Sequence, residues 1–326
     1  MKTIASIEIG TNSIRMLIAE KNPPSYTLKP VLRKREVTRL GEDFSRKEAG
    51  HLKPGPVERS ICALEKFFTI ANQHGVSSPI VVATGVARKA INGNDFINLI
   101  AERLNNRVNI VSGQQEAKLT CLGVLSSLNN AGDSFLIFDH GGGSTEFIWG
   151  DKKERKYISI DLGALTLTED YLIADPPEEE QIHRLIAYIN DMFQTGLKPL
   201  EKIRTKVFSL IGTGGTSIAL AGMIYGIQAD DLSQKLHGLE IRKESLELLL
   251  EKIKGMSSTE RLNIKGLEPE REDIILAGGL TVMKIMDYFK KNEIIVSYSD
   301  ILEGILLHYR EGENDERPIN KGRANL

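Results

Sequence analysis

The stretch from Phe135 to Phe147, FLIFDHGGGSTEF, constrains this chain more than any other. Apolar, strand-forming residues lead to Asp139; three glycines follow, and Ser144, Thr145 and Glu146 open a second apolar run. Phe135 to Phe138 has the length and residue types of a buried strand. Gly141, Gly142 and Gly143 carry no Cβ, so their backbone N–H groups can converge on an anion. Ser144 and Thr145 add hydroxyl donors. Asp139 and Glu146 place hard oxygen ligands at the two ends of the turn, suited to a Mg²⁺ shared with phosphate oxygens. Read alone, the stretch is equally a hairpin with a glycine-rich tip.

A second stretch has the same grammar. Ile4 to Ile18, IASIEIGTNSIRMLI, is an apolar strand, an acid (Glu8), a turn of Gly10, Thr11, Asn12 and Ser13, and another apolar strand. A third glycine-rich turn, GTGGTS over Gly212 to Ser217, follows a strand at 207–211 and precedes a helical run at 218–225. Together the three turns read as a nucleotide or polyphosphate cradle split over two homologous halves. No GxxxxGK[ST] occurs and no lysine follows these glycines, so this is not a P-loop.

At 326 residues the chain is long enough for two domains. A formal net charge of −2 leaves no footprint for nucleic acid or an anionic membrane, and neither partner is expected. No apolar run approaches a membrane span. The chain passes from Met1 and Lys2 straight into a strand pattern, so no signal peptide and a cytoplasmic setting are expected. Cys62 and Cys121 sit in apolar helical patterns and read as two buried free thiols. The six histidines are scattered, which argues against a zinc site.

In order, residues 1–110 read as three strands, a helix (57–74), a strand (78–84), a helix (96–104) and a strand (108–111), with Asn22 to Ser25 as a hairpin turn. Ser112 and Gln115 make a capping signature before an apolar run, and Glu116 falls in or just past that first turn. There the helix dipole favours an ionised carboxylate, the form a general base needs. From Phe135 the strand–turn–strand pattern restarts, and the chain closes on a strand at 294–297 and a helix at 301–310. The expected units are 1–123 and 124–300, with the last helix packing back on the first unit and 311–326 a disordered tail.

These residues carry a family resemblance. IEIGTNSIRM, VATGVARKAIN, SGQQEAKLTCLGV, FDHGGGSTEF, GALTLTEDYL, IGTGGT, LHGLEI and PEREDIILAGG occur in the order seen in the exopolyphosphatase/guanosine pentaphosphate phosphohydrolase family. The chain resembles a short, two-domain form of it, over about Ile4 to Leu307. The resemblance implies an α/β fold of duplicated ribonuclease H-like (actin-like ATPase) domains, with mixed five-stranded sheets and the active site in the interdomain cleft. It further implies that Glu116 is the general base, and that Asp139 and Glu146, with Glu8 in the first turn, serve Mg²⁺ (or Mn²⁺). Successive phosphates would then lie on Gly10 to Ser13, on Gly141 to Thr145, and on Gly212, Gly214, Gly215 and Thr216. Arg15, Thr84, Arg88 and Arg271 would lie near the phosphates, Arg88 in a catalytic role. The implied substrate is polyphosphate or guanosine pentaphosphate; monomer and homodimer both stay open.

Three departures stand out. Glu8 replaces the usual Asp of the first turn, His140 stands where an aliphatic residue is common, and Leu302 takes the place of an arginine. A carboxylate one methylene longer can move a water off line. A non-catalytic sensor of the same ligands is therefore a competing expectation, and a sugar or acetate kinase of the same superfold a third.

Overall fold

A computed structural model describes residues 2–22, 27–44, 50–128, 131–151, 153–227 and 235–308. The expected turn at 22–25, the end of the last helix and the tail lie wholly or partly outside those residues. Two mixed sheets organise the chain. The first is built from β1 (Lys2–Ile9), β2 (Ser13–Asn22), β3 (Thr27–Val37), β4 (Ile80–Ala83) and β5 (Val108–Ile110), in the order β3-β2-β1-β4-β5. β1 to β3 form an antiparallel meander, whereas β4 and β5 run parallel to β1. Between them come α1 (Pro54–Gln73), α2 (Gly85–Lys89) and α3 (Gly93–Leu104), and α4 (Gly113–Ser127) follows.

The second sheet repeats this plan. β6 (Phe135–His140), β7 (Thr145–Gly150) and β8 (Arg155–Ile160) form the meander; β9 (Ser209–Thr213) lies parallel to β6 and β11 (Glu293–Val296) parallel to β9. A sixth strand, β10 (Glu240–Arg242), pairs antiparallel with β11 at the edge. The helices of this half are α5 (Ala164–Tyr171), α6 (Glu179–Gly196), α7 (Gly214–Tyr225), α8 (Lys243–Ile253), α9 (Ser258–Arg261) and α10 (Ile275–Phe289). A 3₁₀ segment, Lys198–Thr205, has no counterpart in the sequence reading.

Each sheet has its own core. Ile7, Ile9, Ile14 and Met16 pack with Phe67 and Phe68 of α1 in the first, and Phe138, Phe147 and Trp149 with Phe193 and Phe289 in the second. Phe135 to Phe138 are all buried, as expected of a central strand covered on both faces. Cys121 is buried but Cys62 is exposed, because the apolar stripe of α1 turns Ile61, Leu64 and Phe68 inward and leaves position 62 outside it.

The final helix, α11 (Ile301–His308), packs on the first sheet through Leu302 and Leu306 against Ile4, Leu17 and Ala19. It crosses α4 backbone to backbone: a Cβ on Gly123 would overlap Asp300 O, and one on Gly304 would overlap Leu119 O. α4 in turn lays Ala117, Cys121 and Val124 against Ile137, Ile148 and Ile211 of the second sheet. This helix therefore touches both halves, and its first turn carries Glu116. Replacing Gly304 with alanine is expected to cost about 1–3 kcal/mol through overpacking, read as a lower Tm by calorimetry. An unchanged Tm would show that the helices can part freely.

Candidate active site

The two strand–turn–strand motifs close in the same way. Gly10 N donates to Ser13 O at 3.0 Å, and Gly141 N donates to Ser144 O at 3.0 Å. The turns face each other closely: a Cβ on Gly142 would lie 2.8 Å from Asn12 Cβ, and one on Gly143 2.7 Å from Thr11 Oγ1. Only residues without side chains fit between them. A second pairing links Thr84 and Thr213, both extended residues that cap a helix and precede a left-handed glycine: Gly85 at φ +47° and Gly214 at φ +78°. The T-G dipeptides after β4 and β9 were the available sequence signal for this second symmetry, and Gly85 went unrecognised as a lining residue.

One cleft collects most of the expected residues. Glu8, Gly10, Thr11, Asn12, Ser13, Arg15 and Thr84 line it from the first half; Asp139, Gly141, Gly142, Gly143, Ser144, Glu146, Gly215, Thr216 and Arg271 from the second. Glu116 joins them, and Gly85, His140, Ala164 and Ile274 complete the wall. Four expected residues fall outside it: Arg88, which is described below, Gly212, Gly214 and Thr145. Gly212 belongs to β9 itself and faces Phe138 and Ile294, because strand alternation turns it into the core. Gly214 sits behind Asp139, and Thr145 is a strut whose Oγ1 bonds Leu162 O and, at 2.7 Å, His140 Nδ1. The α7 helix begins at Gly214 rather than past Ser217, so Gly215 and Thr216 form its first turn, where unpaired N–H groups favour an anion.

Asp139 and Glu146 are register partners across β6 and β7. Glu146 is buried and Asp139 half-buried, and Ser159 Oγ donates to Glu146 Oε1 at 2.7 Å. Burial pushes Asp139 up to about 7; Arg15 opposes the shift, while Asp300, Glu8 and Glu116 add to it. Burial also raises Glu146, reinforced by Glu116 and Asp139. Buried carboxylates in mutual repulsion are a fitting donor set for a hard dication. No three acid, His or Cys side chains among the described residues form a complete cage, so substrate oxygens and water would supply the remaining ligands of a Mg²⁺.

Glu116 is fixed by a complete capping box. Gln115 N donates to Ser112 Oγ at 3.2 Å and Ser112 N to Gln115 Oε1 at 2.8 Å. Arg88 does not line the cleft but stands behind Glu116: its Nη1 donates to Val111 O at 2.6 Å and to Glu116 Oε2 at 3.2 Å. Burial raises Glu116 to about 7, Arg88 pulls it back and Glu8 pushes it up. A carboxylate tuned to that range suits proton abstraction near neutrality.

Glu8 and Arg15 are cross-strand partners. Arg15 Nε donates to Glu8 Oε2 at 2.7 Å, and Nη1 pairs with Asp300. Asp300 also receives Arg33, and although burial raises its pKa, Arg15 and Arg33 outweigh that and lower it. Asp300 was not anticipated. No local pattern marks an acid 285 residues from its partner, just before the last helix.

The Ppx/GppA phosphatase family model matches residues 17–311. A bifunctional 3-dehydroquinate synthase/phosphatase of Fusobacterium nucleatum is 35% identical over 315 residues, which cover 93% of this chain but only 46% of that protein. Exopolyphosphatase 2 of Mycobacterium tuberculosis is 29% identical, with 93% of this chain and 97% of that protein covered. The solved Ppx/GppA family member of Aquifex aeolicus superposes with a TM-score of 0.75 at 30% identity, covering 94% of this chain and 96% of that one. An exopolyphosphatase from Cytophaga hutchinsonii superposes with a TM-score of 0.80 at 26% identity, again over 94% and 96% of the two chains. With this match over nearly its whole length and the duplicated actin-like architecture described above, the chain belongs to the Ppx/GppA phosphatase family.

Proposed function

We propose that this protein releases the terminal phosphate of inorganic polyphosphate, with guanosine pentaphosphate as an alternative substrate presenting the same anhydride. The observation that supports this reading is the convergence of Glu116, Asp139, Glu146 and glycine turns from both halves on one cleft. Phosphoryl transfer needs a positioned water and stabilisation of charge on the transferred oxygens more than covalent chemistry from the protein. Glu116 takes the proton of the attacking water. The backbone N–H groups of the Gly10 and Gly141 turns and of the first turn of α7 hold the phosphates, and Arg271 adds charge beside Gly215. Arg88 positions Glu116. Asp139 and Glu146 would hold Mg²⁺, which when bound supplies charge neutralisation to the phosphate oxygens.

Phosphate release measured over long polyphosphate, pyrophosphate, guanosine pentaphosphate and ATP, with and without Mg²⁺, tests the reading. Mg²⁺-dependent release from polyphosphate is expected. Arg15 is already committed to Glu8 and Asp300, which favours the second reading, a sensor. Tight binding with no turnover of any of these compounds would establish the sensor instead.

The carboxylates give a test independent of turnover. Asp139 and Glu116 ionise near 7 in the fold, whereas the unfolded chain ionises such groups at about 4. The fold thus holds protons that the unfolded chain has lost, so stability falls as pH rises from about 4 to about 7. Mg²⁺ should raise Tm by several degrees at pH 8 and little at pH 5, where protons occupy its ligands. Equal shifts at both pH values would exclude Asp139 and Glu146, both raised by burial, as its ligands.

A further inference from the structure

One row of side chains crosses the end of the second sheet. Asp139 on β6 and Glu146 on β7 are register partners, and Glu146 has Ser159 of β8 as its partner on the other side. Residues in register share a face, so the three stand side by side. The corresponding row of the first sheet is Glu8, Arg15 and Arg35, and there Arg15 neutralises Glu8. The second row carries no cation. Among the described residues Glu146 enters no ion pair, and its row neighbour is a neutral hydroxyl that donates to Oε1 at 2.7 Å. Ser144, which lines the cleft, is its other hydroxyl partner. A hydroxyl aims a carboxylate without cancelling its charge, whereas an arginine in that place would compete with a dication for the same oxygens.

Ser159 does not line the cleft, so it acts only through what it touches. On its far side stands the first turn of α4. A Cβ on Gly113 would lie 2.6 Å from Ser159 Cβ and 2.7 Å from Ser159 Oγ, so the helix rests on the serine and nothing larger than glycine fits there. The same missing side chain faces Arg88, whose Nη2 lies 3.6 Å from that Cβ position. Glu116 is three residues further along the helix, and Arg88 Nη1 holds it. β8 is the edge strand of the second sheet, whereas α4 follows the last strand of the first. The contact of Gly113 with Ser159 is thus where the helix that carries Glu116 meets the strand that orients Glu146.

We propose that Ser159 is a positioning residue for Glu146: its hydroxyl, backed by the bare Gly113, fixes which way the carboxylate points and so the grip of the site on a divalent cation. Without that hydroxyl Glu146 keeps its charge but is free to turn about its side-chain bonds. A hydrogen-bond partner of a ligating group is commonly worth about 10- to 100-fold in metal affinity. The inference rests on the reading of Asp139 and Glu146 as the metal ligands given above, and its test includes a readout that does not depend on turnover.

The test is titration of the full chain with Mn²⁺ at pH 8, the free ion being read by its electron paramagnetic resonance. Ser159→Ala should weaken Mn²⁺ binding about tenfold or more. Gly113→Ala, which keeps the serine but drives a methyl group into it, should weaken binding as well. In a Ser159→Gly background, where hydroxyl and Cβ are both gone, Gly113→Ala should weaken it no further. In phosphate release, the Mg²⁺ concentration giving half the maximal rate should rise by a similar factor in Ser159→Ala, while KM for polyphosphate at saturating Mg²⁺ moves less than about twofold. Unchanged Mn²⁺ binding in Ser159→Ala, with or without a lowered Tm, marks a merely structural serine and overturns the proposal. So does a Gly113→Ala effect that is just as large in the Ser159→Gly background, since the glycine then acts by another route. If Ser159→Ala weakens Mn²⁺ binding but the unaltered protein releases no phosphate, the positioning role stands and the hydrolase reading falls. Phosphate release with Mn²⁺ affinity unchanged in Ser159→Ala does the reverse, and absence of Mn²⁺ binding to the unaltered protein sinks the metal-ligand reading and the proposal with it.

Discussion

Replacing Glu116 with glutamine is expected to slow phosphate release on the order of 10²–10⁴-fold, the range a positioned general base contributes. The substitution keeps the side chain's shape, and its amide oxygen can still accept the 3.2 Å hydrogen bond from Arg88 Nη1. What disappears is the negative charge and with it the proton acceptor. The same change removes one member of a buried group of carboxylates that raise each other's pKa, so Tm should stay level or rise while activity collapses. That opposition separates chemistry from folding. The pH profile supplies a further check: the base must be ionised, so kcat/KM should climb as pH rises towards and through about 7, and bound Mg²⁺ should move that limb lower. Equal rates for the two proteins would remove Glu116 as the base.

Alanine at position 214 should lower turnover by on the order of 10²-fold, although Gly214 itself does not line the cleft. Its φ is +78°, a region costing an L-residue about 1–2 kcal/mol. An added Cβ would overlap Asp139 Oδ1. Either the carboxylate or the first turn of α7 must shift, and a displacement near 1 Å at a reacting centre costs about this much. Gly238 provides the control. It has φ +82° and nothing within 4 Å of where its Cβ would be, so Gly238→Ala should lower Tm by the same backbone strain and leave turnover alone. Should Gly214→Ala behave as Gly238→Ala does, the placement of Asp139 would be irrelevant to the reaction.

These two cases also show how the site was encoded. Asp139, the three glycines and Glu146 could be read directly, because a strand–turn–strand motif declares itself through period-two burial and residues lacking Cβ. The Ser112 and Gln115 capping box located the first turn of α4 and so the side chain of Glu116. The third turn was read less well. GTGGTS looks like one loop, yet Gly212 is strand and Gly215 helix. Composition marks a glycine cluster without revealing where hydrogen bonding changes from sheet to helix.

The chain alone therefore determined two copies of one supersecondary unit, their acids and their turns, since each depends on interactions within a few residues. The tertiary structure decided which groups share a charge. Arg88 came to stand behind Glu116, Asp300 to hold Arg15, and Arg35 to face Arg15 across two strands. Those relations arise where two separately closed cores meet around α4 and α11, and a Coulomb interaction depends on distance in space, not on separation along the chain.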